Sequence, residues 1–197
     1  MRRLLCVNAL LLLACSGLMD DGGTKTTHVP ATSASPTVMP GEGERGLSCD
    51  TPVPTPRPEG CTVGRISCGE TIEATNLDAP GRFGDDFYVY HFCTPQRHDY
   101  DDAAEVAYML TVPGDKKATI TVESDCADLD VSAMTWEDTG TCPRDAGRRL
   151  NECEMRPKHD DISVATVTNA QEYMVVVDGR NGSEGNFRLS VVCEDYR

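Results

Sequence analysis

The chain has 197 residues, with 32 acidic against 18 basic side chains and a net charge of −14. That length holds one ordinary domain with extensions. The negative balance excludes nucleic acid and anionic lipid as partners of the protein surface. Ten cysteines in so short a chain point away from a reducing compartment.

Residues 1–14 open with Met1-Arg2-Arg3 and continue as an apolar run that ends in a small residue, Ala14. A basic start, an apolar core and a small residue before a cut describe a secretory signal, and about 11 apolar residues are too few to span a bilayer. The run closes on Leu12-Leu13-Ala14-Cys15, which resembles the lipobox of bacterial lipoproteins. That resemblance implies cleavage before Cys15, diacylglycerol on its sulfur and acylation of its new amino group. Cys6 is the poorer lipid site, because Leu5 before it is large and the apolar run continues past it. Arg2-Arg3 lacks the flanking residues of a twin-arginine signal. Removing residues 1–14 takes away two arginines and no acid, so the mature chain is more acidic still. Ser16 is not the aspartate associated with inner-membrane retention, so the outer membrane or cell surface is expected.

Residues 15–60 read as a lipid-anchored stalk, rich in Gly, Thr, Ser and Pro and without apolar periodicity. Proline at every second position from Pro52 to Pro58 favours polyproline II and opposes helix and paired strand. From Cys61 to the end, short apolar alternations separated by turn residues describe an all-β domain. Glu70–Thr75 alternates weakly, and Phe87–Cys93 reads as a strong strand. Val106, Tyr108, Leu110 and Val112 share one face of the next strand, and Ala118, Ile120 and Val122 line the one after. Leu129–Trp136 and Ile162–Thr168 follow. Glu172–Cys193 is expected to be a closing hairpin around the turn formers Asp178 to Gly185, with the Val175–Val177 run placing its first strand centrally.

Several of these segments resemble the bacterial pre-peptidase C-terminal domain, in the same order. Ser67-Cys68-Gly69-Glu70-Thr71-Ile72 is similar to its opening motif, and Tyr90-His91-Phe92-Cys93 and Glu105-Val106-Ala107-Tyr108 to its next two strands. Asp128-Leu129-Asp130-Val131 resembles its D-L-D segment. Tyr173–Gly179 and Gly185-Asn186-Phe187-Arg188-Leu189 resemble its last two motifs. The similarity covers about residues 61–194. It implies a jelly-roll-like antiparallel β-sandwich of about eight strands, related to carbohydrate- and collagen-binding modules. Such domains usually follow secreted peptidases, and here no peptidase precedes the domain.

With Cys6 removed and Cys15 lipidated, eight cysteines remain, an even count that reads as a disulfide framework. Cys142 is expected to pair with Cys153. The segment Pro143–Glu152 between them has almost nothing to anchor it in a core, and the resembling domains often carry a short cysteine-closed loop there. Cys68 with Cys93 and Cys61 with Cys193 would join ends of neighbouring strands, leaving Cys49 with Cys126.

Catalytic patterns are sparse. Asp138-Thr139-Gly140 matches one aspartic-protease triplet, but that chemistry needs a second, and the triplet reads as a turn. Neither G-x-S-x-G nor H-E-x-x-H occurs. His91 reads as a half-exposed strand residue, and His98 and His159 as solvated. Asp128 and Asp130, two apart on a strand, would face one way and are the candidate calcium ligands; otherwise no cofactor is expected. Asn181-Gly182-Ser183 reads as a turn. Trp136 and Tyr100 are the available aromatic platforms for a glycan, with Trp136 placed in the core. The reading is a non-enzymatic, lipid-anchored envelope protein. Its disulfide-rich sandwich binds an unidentified protein or glycan, and the membrane is contacted through lipid on Cys15. A structural spacer or assembly factor is the alternative, and a hydrolase with a loop-built site is the second.

Overall fold

The computed structural model describes residues 46–58, 60–137, 141–143 and 152–196. All of them lie in the compact unit Glu42–Arg197. The expected signal segment, Cys6, Cys15, His28 and the Asp138-Thr139-Gly140 triplet lie outside the described residues.

Among the described residues, nine strands and one short helix follow in the order β1 Gly64–Ile66, β2 Thr71–Thr75, α1 Asp85–Tyr90, β3 Glu105–Val112, β4 Lys116–Glu123, β5 Leu129–Thr135, β6 Cys153–Met155, β7 Asp161–Ala165, β8 Gln171–Gly179 and β9 Asn186–Asp195. They form two sheets, β1-β3-β8-β5-β6 and β2-β9-β4-β7. Every ladder is antiparallel except that of β1 with β3. Without the added edge strand β1, the chain is a long ribbon folded on itself. β2, β3, β4 and β5 pair in turn with β9, β8, β7 and β6, and successive pairs fall in opposite sheets. This is jelly-roll order.

The ribbon corrects the expected closing hairpin. β8 and β9 belong to different sheets, so Arg180–Gly185 crosses between layers. Gly179 makes the crossing tight, since a Cβ there would sit 1.8 Å from the Ser183 carbonyl oxygen. β8 is nonetheless central, between β3 and β5, as the Val175–Val177 run requires.

The inter-sheet core is the alternation visible in sequence. Val106, Leu110, Ile120, Val131, Val175 and Leu189 are among its members, with the inward faces of β7 and β2 closing it. The five-stranded sheet is buried on its other face as well. Ala107, Met109, Met134, Met174 and Val176 pack there under Phe83, Phe87, Tyr88, Tyr100 and Trp136. Burial on both faces explains why β3, β5 and β8 are inaccessible along nearly their whole length.

That second layer is where sequence and structure part. Phe87–Cys93, expected as a strand, is mostly the helix α1. Phe87, Tyr88 and the C-cap His91 fall within four residues of one another, so a helix puts them on one buried face. A strand would have split them. His91 is accordingly buried at the C-cap, against Phe87 at a centroid distance of 4.5 Å.

The disulfides follow the layers. They are Cys49–Cys126, Cys61–Cys142, Cys68–Cys193 and Cys93–Cys153. The expected pairs Cys142–Cys153, Cys68–Cys93 and Cys61–Cys193 are therefore corrected. Cys68 lies three residues before β2, whose neighbour is β9, and the chain there is already bonded to Val191, so its partner is Cys193. Cys93 lies just past the C-cap of α1, in the layer over the outer face of the other sheet, and is bonded to β6. Cys61 and Cys142 are both buried in that outer layer.

The expected stalk boundary at residue 60 also moves. Residues 46–58 run along the sandwich, fixed by Cys49–Cys126. The buried Asn186 side chain donates to the carbonyls of Ser48 (2.5 Å) and Thr51 (2.7 Å) and accepts the Val53 N–H (2.9 Å). Thr55 Oγ1 accepts the Thr75 N–H on the edge strand β2. A proline-rich strap on that edge leaves it few free donors for pairing with another chain.

Candidate functional site

The site is built where α1 and the loop after it cover the five-stranded sheet. Asp85 opens the helix and is buried. Its carboxylate accepts N–H groups from His98 (2.9 Å), Asp99 (3.2 Å) and Tyr100 (3.4 Å). In return Asp101 Oδ1 accepts the Asp85 N–H at 2.9 Å. Helix start and loop thus satisfy each other's orphan donors. Arg97 ties the outer side, pairing with both Asp86 and Asp101.

Between this cover and the sheet lies a row of three buried carboxyls. Glu105, Asp178 and Asp130 stand directly opposite one another on β3, β8 and β5. Tyr88 donates to Asp178 at 2.5 Å and Tyr100 to Asp130 at 2.5 Å. Glu105 accepts the Arg82 N–H at 2.7 Å. Burial pushes the Asp178 carboxyl well above the usual range, and neighbouring Glu105 and Asp130 push it further against the Tyr88 bond. Burial also raises Asp130, opposed by its bonds from Tyr100 and Lys158 and by Arg180. The hydroxyls of Tyr88 and Tyr100 are driven upward by burial and by these same carboxyls.

Asp128 and Asp130 do not form the expected calcium pair. Asp130 is spent on Tyr100 and the Lys158 N–H (2.9 Å), and Asp128 is exposed. The Arg180 guanidinium lies between them, 3.3 Å from Asp128 and 3.6 Å from Asp130, and supplies the cation itself. Among the described residues no group of three or more His, Cys, Asp or Glu side chains is arranged to hold a metal.

Beside α1 a cleft of about 730 Å³ opens to solvent, lined by Phe83, Phe87, Val89 and Tyr90, with Arg82, Asp86 and Asp101 contributing polar groups. Trp136 and Tyr100, the aromatics singled out in sequence, are both buried, and Trp136 Nε1 donates to the Thr141 carbonyl. The exposed aromatics are instead Tyr90, Phe92 and Tyr196. The i, i+4 spacing of Phe87 and His91, behind the acidic first turn Asp85-Asp86, was the signal that could have found this site.

No family model and no curated protein matches the chain. Two solved structures are similar to it. One is the pre-peptidase C-terminal domain of a collagenase from Bacillus anthracis, at 17% identity and a TM-score of 0.38, over 68% of this chain and 97% of that one. The other is PliG from Aeromonas hydrophila, a periplasmic inhibitor of g-type lysozyme, at 11% identity and a TM-score of 0.37, over 64% and 85%.

Proposed function

We propose that this protein is a non-catalytic, lipid-anchored protein of the bacterial envelope whose sandwich binds a protein or glycan in the cleft beside α1. The observation that carries the reading is the cleft itself: an open hollow with aromatic walls and a few polar groups, held on a rigid double-clasped base. The four disulfides fit a protein made for an oxidising compartment. Leu12-Leu13-Ala14-Cys15 supports lipid on Cys15. The groups of the cleft are used structurally, since Asp86 and Asp101 hold Arg97.

Photo-crosslinking from the cleft tests the reading. The variant Tyr90→p-benzoylphenylalanine, irradiated in cells that secrete the protein, should give a discrete crosslinked species. The same replacement at Thr119, on the outer face of the four-stranded sheet, should not. Equal labelling from both positions, or none from Tyr90, would contradict it.

A further inference from the structure

The cover over the five-stranded sheet is joined to it through carboxyls. Tyr88 of α1 donates to Asp178, Tyr100 of the following loop to Asp130, and the Arg82 N–H just before α1 to Glu105. The three acceptors are neighbours in one row across β3, β8 and β5. Asp178 holds the middle place, with a carboxyl on either side. It is fully buried, and among the described residues no cation pairs with it. Its Oδ2 takes the Tyr88 hydroxyl, and its Oδ1 has no hydrogen-bond partner. The adjacent Gly179 N–H favours the charge but leaves Oδ1 unbonded. Ser132 Oγ, two residues from Asp130 on the same face of β5, is a second buried oxygen without a hydrogen bond.

The other titratable and charged groups of this layer have their own partners. Arg180, from the loop after β8, lies 3.6 Å from Asp130 and 3.3 Å from exposed Asp128. The Lys158 N–H also goes to Asp130. The Arg82 guanidinium reaches the Cys61 carbonyl at 3.4 Å. Asp85, buried at the start of α1, is held by three loop N–H groups. His91 packs at the other end of the helix on Phe87 and Tyr90. A carboxylate in the middle place is therefore a buried charge between two others, with one oxygen lacking a donor. A neutral Asp178 is free of that penalty. Water can supply the missing donor, and what stands between the row and water is the cover. The cover is also the part that can move. β3, β8 and β5 are interior strands, whereas α1 has six residues. Cys93–Cys153 keeps its far end on β6, so an opening is local and reversible.

We infer that the carboxyl row is a pH latch on the cleft: while Asp178 holds a proton α1 lies closed on the sheet, and loss of that proton to solvent lets α1 and its loop lift, taking away the wall that Phe87, Val89 and Tyr90 give the cleft. The raised carboxyl of Asp178 sets the sign, since the closed cover is favoured at low pH and loses that support as pH rises. The inference rests on the reading of the cleft as a binding site, and it adds a condition: ligand is held at low pH and released as pH rises.

Hydrogen exchange on the secreted chain carrying Cys15→Ser reads the cover directly. The N–H groups of Tyr88, His91 and Cys93 are bonded within α1 and its end. From about pH 5 to about pH 8 their protection, corrected for the intrinsic rate, should fall at least about tenfold. At every pH it should stay below that of Ile120 in the four-stranded sheet. Asp178→Asn has no proton to lose and should keep α1 at its low-pH protection throughout. Glu105→Gln takes one charge from beside Asp178 and should make the fall smaller, which reads the same coupling if the Asn variant does not fold. A fall that persists in Asp178→Asn, or is undiminished in Glu105→Gln, belongs to another group and overturns the inference. So does α1 protection that is constant with pH or equal to that of Ile120. The crosslink from Tyr90 separates latch from ligand. Its yield should drop from pH 5 to pH 8, and not in Asp178→Asn. A constant yield over an α1 that opens would overturn the gating. No crosslink at either pH, with exchange as expected, would overturn the reading of the cleft and uphold the latch.

Discussion

At the scale of single residues, the buried Asp178 has the clearest consequence. Its folded pKa is raised, by burial first and then by Glu105 and Asp130. The folded state therefore binds a proton that the unfolded chain gives up near pH 3.9, the ordinary value for Asp. The stability it contributes is fully present below that pH and is lost as pH rises toward the folded pKa. Asp178→Asn keeps an acceptor for the Tyr88 hydroxyl and removes the titration. Urea melts at about pH 5 and about pH 8 should show the Asn variant gaining on the native protein at the higher pH. An unchanged difference would contradict the assignment. None of this was legible in the sequence. Glu105, Asp130 and Asp178 look like surface acids until the register of three strands lines them up. Asp128 and Asp130 were likewise read as ligands because the intervening Arg180 comes from a loop 50 residues on.

At the scale of elements, strict alternation and the apolar run of β8 were legible, while the short strands and the helix were not. The inward faces of β3, β4, β8 and β9 are the ones that Val106, Ile120, Val175 and Leu189 mark in sequence. β1 and β6, three residues each, are too short to carry a period. α1 was read as a strand because six residues rich in aromatic and β-branched types mimic strand composition. Its helix depends on tertiary clasps that sequence does not display. Asp85→Ala removes the acceptor of three N–H groups and should cost about 2–4 kcal/mol in denaturant unfolding. Asp86→Ala, at a side chain 87% exposed, should cost less than about 1 kcal/mol. Equal losses would show that the clasp does not hold the helix.

At the scale of the whole molecule, the segment expected as a stalk between the proposed anchor and the domain is partly domain, since residues 46–58 are tied to the sandwich. Detergent partitioning tests the anchor. The native protein should enter the detergent phase and Cys15→Ser the aqueous phase, and equal aqueous recovery would contradict lipidation. The all-β class was legible from strand spacing and the jelly-roll order was implied by the resemblance of the ordered motifs, but the pairing of the cysteines was not legible. Connectivity depends on which sheet each strand joins, and adjacent strands such as β8 and β9 join different ones. The account turns on α1 forming a third layer over the outer face of the five-stranded sheet, because that layer makes both the carboxyl row and the cleft. Non-reducing peptide mapping tests this most directly. Cys93 should be recovered linked to Cys153, with Cys68 linked to Cys193. A Cys93 peptide linked to Cys68 would put the segment beside β2 as a strand, and would contradict the third layer and the site built on it.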